Sequence, residues 1–186
     1  ITTGQKIAIQ RTQRSRLAET DLDQVKFGRV FSDHMFVVDF KDGAWRTPRI
    51  EPFAPLQMSP ATLVLHYSQT IFEGLKAYRS ADGRVGIFRP QANIARMNRS
   101  TERMCMPAIP EDLFMDALVQ LVEMDKAWIP GGDDAALYIR PFLYASDEYV
   151  GVRPSDTYKF IIFTCPVRGY YNEPVRVRIE TEYSRA

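Results

Sequence analysis

The sequence predicts an α/β chain of the α+β kind, with a mixed, mostly antiparallel sheet and two main helices packed on it. Two glycine-containing turns, Lys41-Asp42-Gly43 and Asp82-Gly83, have the chemistry of β-hairpins, which join antiparallel strands. Two segments carry apolar residues at helical spacing, and two apolar runs have the length and composition of buried strands. We therefore expect the helices to cover one face of a sheet built largely from hairpins.

The composition narrows the class of protein. With 186 residues, the chain is long enough for one domain, or for one domain and a fragment of a second. A net charge of +1 gives no overall field for nucleic acid or an acidic membrane, and no apolar run approaches the roughly 20 residues of a membrane span. The N-terminus lacks the apolar core of a signal peptide. Cys105 and Cys165 have neither metal nor redox spacing, which predicts free thiols in a reducing cytoplasm.

The first part of the chain reads as a polar arm followed by strands. Residues 1–26 form the arm, in which Ile7 and Ile9 allow only short pieces of strand. Residues 27–40 are rich in β-branched and aromatic side chains and predict strands around a Ser-Asp turn. The segment 47–60 carries four prolines, which remove donors and fix φ, so it predicts an extended loop.

The segments that follow predict two helices and four strands, the first of which is a short strand over 85–88. The helices are expected over 90–104 and from Glu111 onward, the buried strands over 136–146 and 159–167, and a strand with one wet face from Val175.

The stretch from His66 to Arg79, HYSQTIFEGLKAYR, alternates only in part. Gly74 interrupts the alternation, and an isolated glycine in such a run indicates a bulge or a close approach of another group. We expect a strand that turns a corner here.

Three arginines lie along the first predicted helix. Arg99 and Arg103 are assigned to a solvated face. Arg96 is assigned to the first turn of the helix, where the dipole and free N–H groups favour an anion. Because a guanidinium binds phosphate in a bidentate fork, Arg96 is a candidate phosphate ligand.

Tyr138 and Arg140 are predicted to project from the same face of an apolar strand. An arginine in such a strand is costly unless a carboxylate meets it. That carboxylate is expected either from within the chain, with Glu73 as the candidate, or from a substrate.

Six motifs follow one another between Phe27 and Ala186. They are FGRVFSDHM, LHYSQTIFEGLKAYR, NIARMNRS, LYIRPFLY, CPVRGYY and EYSRA. In this order they resemble the branched-chain aminotransferases, of the fold-type IV family of pyridoxal-phosphate enzymes. The resemblance implies two α/β domains: residues 27–167 as the small N-terminal domain, 168–174 as the linker, and 175–186 as the first strand of a second, larger domain.

The same resemblance implies the site residues. Arg96 would bind the phosphate of pyridoxal phosphate, Tyr138 the substrate carboxylate, and Arg140 the side-chain carboxylate of glutamate. An aromatic pocket for aliphatic side chains would consist of Phe27, Tyr67, Phe72 and Tyr170. The implied substrates are leucine, isoleucine and valine, with 2-oxoglutarate or glutamate as the amino-group partner.

Further implied roles concern the neighbouring subunit and the support of the site. Val150 and Val152 would reach the site of a second subunit, which implies a homodimer, with neither nucleic acid nor membrane as a partner. Lys76 would support the site as an ion-pair partner, alongside Glu73.

This sequence departs from the family pattern in one respect: it lacks the reactive lysine. In the family that lysine forms the Schiff base with the cofactor and moves the substrate proton. The family places it shortly after the residues that resemble Ser184-Arg185-Ala186, and none of the six lysines of this chain has that context. The acid that pairs with the pyridine nitrogen is expected in the same missing part. We therefore expect one part of a longer protein, inactive alone, with no catalytic residue and no metal ligand of its own.

Three alternatives remain open from the sequence. Within the family these are a D-amino-acid aminotransferase or an aminodeoxychorismate lyase, against which the FEGLKAY run and the Tyr138/Arg140 pair argue. Outside it, a non-catalytic binding module could retain the fold without the lysine. Nucleic-acid binding through the arginines is disfavoured by the charge balance and the absence of an aromatic platform beside them.

Overall fold

The computed structural model describes residues 6–169 and 174–184, which build one sheet of nine strands. Its strands are β1 (Ala8–Ile9), β2 (His34–Lys41), β3 (Ala44–Trp45), β4 (Arg49–Pro52), β5 (Thr70–Phe72), β6 (Leu75–Arg79), β7 (Val85–Ile87), β8 (Ala136–Ala145) and β9 (Tyr158–Val167). The main order is β1-β4-β2-β9-β8-β6-β7, with β3 paired to β2 and β5 paired to β8. Only the β1–β4 pairing is parallel among the described strands, so the sheet is mixed and mostly antiparallel, as predicted.

Two long helices cover one face of this sheet. They are α2 (Pro90–Arg103) and α3 (Glu111–Asp125), and a short helix α1 (Leu63–Tyr67) precedes β5. Phe160 of β9 packs edge-on against Phe36 of β2 at 6.0 Å between ring centroids and stacks on Phe114 of α3 at 6.3 Å. All three rings are fully buried. Each such side chain contributes about 1.5–3 kcal/mol to folding, so this helix-covered face holds the main core.

The opposite face of the sheet is covered by no long helix of the described chain and carries a smaller apolar cluster. Met35, Val37, Tyr144 and Ile161 are buried there, with Phe142 and Phe163 packed against them. Successive strand residues point to opposite faces of the sheet. Because Leu137 and Ile139 point into the main core, Tyr138 and Arg140 lie on the open face. None of the helices in the described ranges has the length and hydropathy needed to cross a bilayer.

Both predicted hairpins are confirmed. Asp42 and Gly43 have φ values of 50° and 71° and join β2 to β3, while Gly83, at φ 83°, lies between β6 and β7. The helix predicted over 90–104 and the one predicted from Glu111 form α2 and α3. The two buried strands form β8 and β9 and pair along ten residues. The two cysteines are free, as predicted.

Three local predictions are wrong. The proline-rich segment 47–60 is not all loop, because β4 lies between Pro48 and its own last residue, Pro52, and pairs with both β1 and β2. The strand expected early in 27–40 begins only at His34, after a turn over residues 27–29. No strand forms over Val175–Ile179, whose three apolar side chains are exposed, because the described chain offers it no partner strand. The predicted division into domains stays a prediction.

The N-terminal arm is docked on the sheet by Asp33, just before β2. Its carboxylate accepts hydrogen bonds from Ser15 Oγ at 2.6 Å, from the Arg16 backbone N–H at 3.0 Å and from Trp128 Nε1 at 3.0 Å. Burial alone would raise the pKa of Asp33, but these donors hold it below its ordinary value of 3.8.

A second buried contact holds the arm through His34. Its Nε2 accepts the backbone N–H of Thr12 at 2.9 Å, so Nδ1 carries the proton and donates to Asp125 Oδ1 at 2.7 Å. Asp125 Oδ2 also accepts the His34 backbone N–H at 3.0 Å. The arm therefore belongs to the folded body, and β1 extends its sheet.

We predict that Asp33→Ala lowers the free energy of unfolding by at least about 1.5–3 kcal/mol, because it leaves the buried Trp128 indole N–H without an acceptor. Urea unfolding at neutral pH measures the loss. The pKa of Asp33 is depressed, so its contribution is present above pH 3.8 and is lost as the pH falls through the folded-state pKa. Asp116→Ala, an exposed aspartate of α3, serves as the control, and equal losses for the two variants would contradict the prediction.

Candidate active site on the open face of the sheet

The candidate site lies on the open face, where β8 runs between its neighbours β6 and β9. Tyr138 stands opposite Lys76 of β6 on one side and opposite Cys165 of β9 on the other. Arg140 follows two residues later on the same face, next to β5. The predicted placement of Tyr138 and Arg140 side by side is therefore what the strand produces.

Arg140 lies among aromatic rings. Its guanidinium carbon is 4.3 Å from the ring centroid of Phe72 and 5.4 Å from that of Tyr138. Its Nε and Nη2 both donate to the Tyr138 hydroxyl oxygen, at 3.2 and 2.8 Å. No carboxylate of the described residues pairs with it, so the internal pairing with Glu73 that the sequence suggested does not form. A guanidinium stacked on a ring is held by a cation–π attraction of about 0.5–2 kcal/mol. Nη1 of Arg140 has no hydrogen-bond partner in the described chain.

Gly74 makes room for the Tyr138 hydroxyl. A Cβ placed on this glycine would lie 2.5 Å from the hydroxyl oxygen and 3.2 Å from Cζ of the same ring. Such contacts are too short for any side chain, so the interruption at Gly74 marks a close approach, as the sequence indicated.

Glu73 holds Arg96 in a two-point ion pair. Arg96 Nε donates to Oε1 at 2.6 Å and Nη2 donates to Oε2 at 2.7 Å, while Asn93 Nδ2 donates to Oε2 at 2.9 Å. The Glu73 side chain is 3% exposed and the Arg96 side chain 62%. Burial would raise the pKa of Glu73, but the hydrogen bonds from Arg96 and Asn93 hold it below its ordinary value of 4.5. The same pairing raises the pKa of Arg96.

The sequence assigned Arg96 to the wrong part of its helix. Counting from Pro90, Arg96 is the seventh residue of α2 and belongs to the second turn, so the free N–H groups of the helix end do not surround it. The buried Glu73 carboxylate fixes the guanidinium instead. Its Nη1 makes no hydrogen bond among the described residues, and the side chain is exposed. Phosphate binding at Arg96 stays a prediction.

Glu73 and Gly74 bring the two halves of the site together. The Glu73 backbone N–H still donates to Pro141 O of β8 at 2.9 Å, while its side chain turns towards α2. The next residue, Gly74, receives the Tyr138 ring. Arg96 and Tyr138 therefore lie on either side of two consecutive residues.

Phe27 completes the wall beside Tyr138. Its ring meets the Tyr138 ring edge-to-face, with 5.1 Å between centroids. Phe27, Phe72, Tyr138 and Arg140 form what we call the aromatic–arginine cluster, on the open face.

The remaining predicted site residues lie elsewhere or make fewer contacts. Tyr67 is in α1, where its ring contacts His66 at 6.2 Å and no ring of the cluster within the described chain. Val150 and Val152 lie in the exposed loop between β8 and β9. Lys76 makes no ion pair within the described ranges, so its supporting role stays a prediction. Tyr170 lies outside the described residues.

The sequence analysis did not identify Asn93 as a hydrogen-bond donor to Glu73. The signal was present, because residues three apart share a side of a helix and Asn93 precedes Arg96 by three.

Comparisons with known proteins find relatives and solved structures of one family name. No family model matches the sequence. The chain is 47% identical over 188 residues to branched-chain-amino-acid aminotransferase 2 of Bacillus subtilis. This alignment covers 99% of the chain and 52% of that protein. The chain is 50% identical over 171 residues to branched-chain-amino-acid transaminase 1 of the same organism, covering 89% and 48%. A branched-chain-amino-acid aminotransferase of Mycobacterium tuberculosis is 42% identical over 173 residues, covering 90% and 47%. The chain thus spans about half the length of the curated relatives it matches.

Solved structures show the same fold. The branched-chain amino acid aminotransferase of Escherichia coli aligns with a TM-score of 0.56 at 22% identity, over 73% of this chain and 41% of that one. The branched-chain aminotransferase of Thermoproteus uzoniensis, solved with norvaline, aligns with a TM-score of 0.56 at 21% identity, over 75% and 43%. Another branched-chain amino acid aminotransferase, complexed with N-(5'-phosphopyridoxyl)-L-glutamate, aligns with a TM-score of 0.51 at 25% identity, over 69% and 40%.

We predict that Gly74→Ala destabilises the chain by about 1–3 kcal/mol, because the new methyl group must push the Tyr138 ring aside. Urea unfolding measures the loss, and the NMR shifts of the Tyr138 ring report its displacement. Gly86→Ala in β7 is the matched control, since a Cβ there meets nothing within 4 Å. An unmoved Tyr138 ring in Gly74→Ala would refute the close approach.

We predict that Glu73→Gln costs about 1–3 kcal/mol at pH 7, because the neutral amide cannot hold both Arg96 and Asn93. Since the pKa of Glu73 is depressed, its contribution exists above pH 4.5 and disappears as the pH falls through the folded-state pKa. The difference in unfolding free energy from the wild type should therefore shrink as the pH falls below 4.5. Glu102→Gln, on the exposed side of α2, should show neither the loss nor the pH dependence.

Proposed function

Since this chain is homologous to the N-terminal half of the branched-chain aminotransferases, we propose that it forms part of a pyridoxal-phosphate enzyme that transaminates leucine, isoleucine and valine with 2-oxoglutarate. The observation that carries the proposal is Arg140, a cation without a carboxylate in the described chain, held among rings at the end of an apolar wall.

The residues present fit the phosphate of the cofactor. Arg96 donates to Glu73 through Nε and Nη2, which leaves Nη1 as a donor for an anion. The buried carboxylate therefore orients the guanidinium without occupying all of its donors. Pyridoxal phosphate, when bound, supplies the electron sink that weakens the bonds at the substrate α-carbon. Glu73 and Asn93 would keep Arg96 in place while that chemistry proceeds.

The aromatic–arginine cluster suits two kinds of substrate side chain. Phe27 and Phe72 offer apolar surface, and apolar pockets separate side chains that differ by one methylene by only about 1–3 kcal/mol. One site for leucine, isoleucine and valine follows from that weak discrimination. For glutamate, Arg140 would turn its free Nη1 towards the side-chain carboxylate, and a charge-assisted hydrogen bond of about 1.5–3 kcal/mol offsets the lost apolar contact.

Tyr138 holds the geometry of both tasks. Its hydroxyl oxygen accepts two hydrogen bonds from Arg140, so its own proton remains free to donate to a substrate carboxylate. The ring is confined between Gly74 and Phe27, which limits the positions that this proton can reach.

An exposed apolar surface supports assembly with a second copy of the chain. Val150 and Val152 are 64% and 91% exposed, and Leu65 and Tyr67 of the nearby α1 are also exposed. An isolated antiparallel β-bridge between Thr62 and Glu148 holds the start of α1 beside the loop that carries Val150 and Val152. Exposed apolar residues in one patch are typical of protein–protein contacts, so a homodimer through this loop is part of the proposal.

The proposal includes a reactive lysine and an acid that pairs with the pyridine nitrogen, both in the part of the curated relatives' length that this chain does not cover. The alignment with about half of each relative, and the lack of a lysine in the family's context, support this part of the proposal.

The test is Arg140→Gln in the complete protein that carries this chain. Each half-reaction is followed separately by the absorbance of the cofactor in single turnovers. With glutamate or 2-oxoglutarate, kcat/KM should fall about 10- to 150-fold, the equivalent of the lost charge-assisted bond. With isoleucine it should fall less than about threefold.

Arg99→Gln, on the exposed side of α2, should leave both half-reactions unchanged. Equal losses for glutamate and isoleucine would contradict the role of Arg140, and a wild-type protein without transaminase activity on any branched-chain amino acid would overturn the proposed function.

A further inference from the structure

We propose that Arg168 is a positioning residue that holds Phe27 against Tyr138, by tying the segment that carries Phe27 to the end of β9. We call residues 23–31 the Phe27 segment. It contains turns but neither helix nor strand, so its position depends on individual contacts. The structural part of the proposal stands alone, and its effect on substrate binding rests on the proposed function.

Arg168 grips the start of the Phe27 segment. Its Nη2 pairs with the Asp23 carboxylate, and its Nε donates to the Leu22 carbonyl oxygen at 3.4 Å. The arginine directly follows β9, and its Nη1 borders the turn at Gly132. With a side chain that is 31% exposed, Arg168 is constrained by these neighbours, unlike a fully solvated arginine.

β9 also holds the Phe27 segment at Gly28, and it holds the chain just after the segment at Ser32. The Gly28 N–H donates to the Cys165 sulfur, whose burial raises the pKa of the thiol, and Gly28 has a φ of 70° that favours glycine. Beyond the segment, the Ser32 N–H donates to the Thr164 carbonyl oxygen at 2.9 Å.

These attachments explain why Phe27 reaches Tyr138. Cys165 lies directly opposite Tyr138 in the β8–β9 ladder, so a backbone fixed at Cys165 delivers the preceding residue to the Tyr138 ring. Arg168 secures the other side of Phe27. With that side released, the described contacts that hold this part of the segment on the sheet would be those of Gly28 and of the rings.

An ion pair with an exposed aspartate adds little to global stability, but it can control a local opening. Loss of Arg168 should therefore change the population of the open segment by several-fold while the sheet and both long helices stay folded. In the complete enzyme, a mobile Phe27 would weaken the apolar wall in the ground state and the transition state alike. Such a loss raises KM for aliphatic substrates and leaves kcat nearly unchanged.

The first experiment is amide hydrogen exchange, followed by NMR, on the complete protein that carries this chain. In Arg168→Ala, exchange of the Gly28 amide should be about 3- to 10-fold faster than in the wild type, while the amides of β8 and α3 are unchanged. Asp23→Ala should act in the same direction, and the double variant should add little. Arg29→Ala, in the same segment and without a side-chain partner in the described chain, is the matched control. Unchanged Gly28 exchange in Arg168→Ala overturns the proposal.

The second experiment is a double-mutant cycle in the complete enzyme with Arg168→Ala and Phe27→Ala. Arg168→Ala should raise KM for isoleucine about fivefold with kcat within about twofold, and it should have no further effect once Phe27 is alanine. Additive effects on KM would overturn the route through Phe27. If the complete enzyme does not transaminate branched-chain amino acids, the proposed function fails, and the Gly28 exchange still decides whether Arg168 holds the segment.

Discussion

The ion pair between Glu73 and Arg96 determines how the candidate site is put together. A carboxylate buried to this degree is costly unless its charge is matched and its oxygens are hydrogen-bonded, and here Arg96 and Asn93 supply both. The pair joins helix α2 to the break between β5 and β6. It thereby helps to fix where α2 lies relative to the open face, and with it the position of Arg96 relative to the aromatic–arginine cluster.

The two faces of the sheet differ in composition. Its helix-covered face buries the large apolar residues, among them Phe36, Phe114 and Phe160, and tolerates little change in volume. The open face bears polar and aromatic residues with unused hydrogen-bonding capacity. Alternation along β8 serves both faces at once, because Leu137 and Ile139 pack into the core while Tyr138 and Arg140 face outward. A site built on a strand that also anchors the core has limited freedom to drift.

Local patterns in the sequence predicted the elements well, and long-range contacts less well. The helices α2 and α3 and the strands β8 and β9 follow from periodicity, which reports on the nearest neighbours of each residue. β4 was missed because its prolines border the strand without interrupting it, and only pairing with β1 and β2 reveals that. Val175–Ile179 has a strand-like pattern, but a pattern alone cannot supply the neighbouring strand.

The site showed the same division. Tyr138, Arg140, Phe72 and Phe27 lie together on the open face. Glu73 was the wrong candidate for the carboxylate that meets Arg140, because consecutive residues of an extended chain point to opposite faces. Phe72 takes the face of Arg140, so Glu73 turns to α2 and meets Arg96. A substrate carboxylate at Arg140 stays a prediction. The contact between Arg168 and Asp23 spans 145 residues and has no local signal at all.

The space that Gly74 leaves for Tyr138 also constrains how the two positions can diverge. The hydroxyl oxygen is the atom nearest to a Cβ at position 74, at 2.5 Å, and the ring carbons behind it lie at 3.2 and 3.3 Å. A phenylalanine at position 138 would relieve the worst of that overlap, at the expense of the acceptor for Arg140. Relatives that carry a side chain at position 74 should therefore lack the phenol at position 138, and the two sites should covary as a pair through descent.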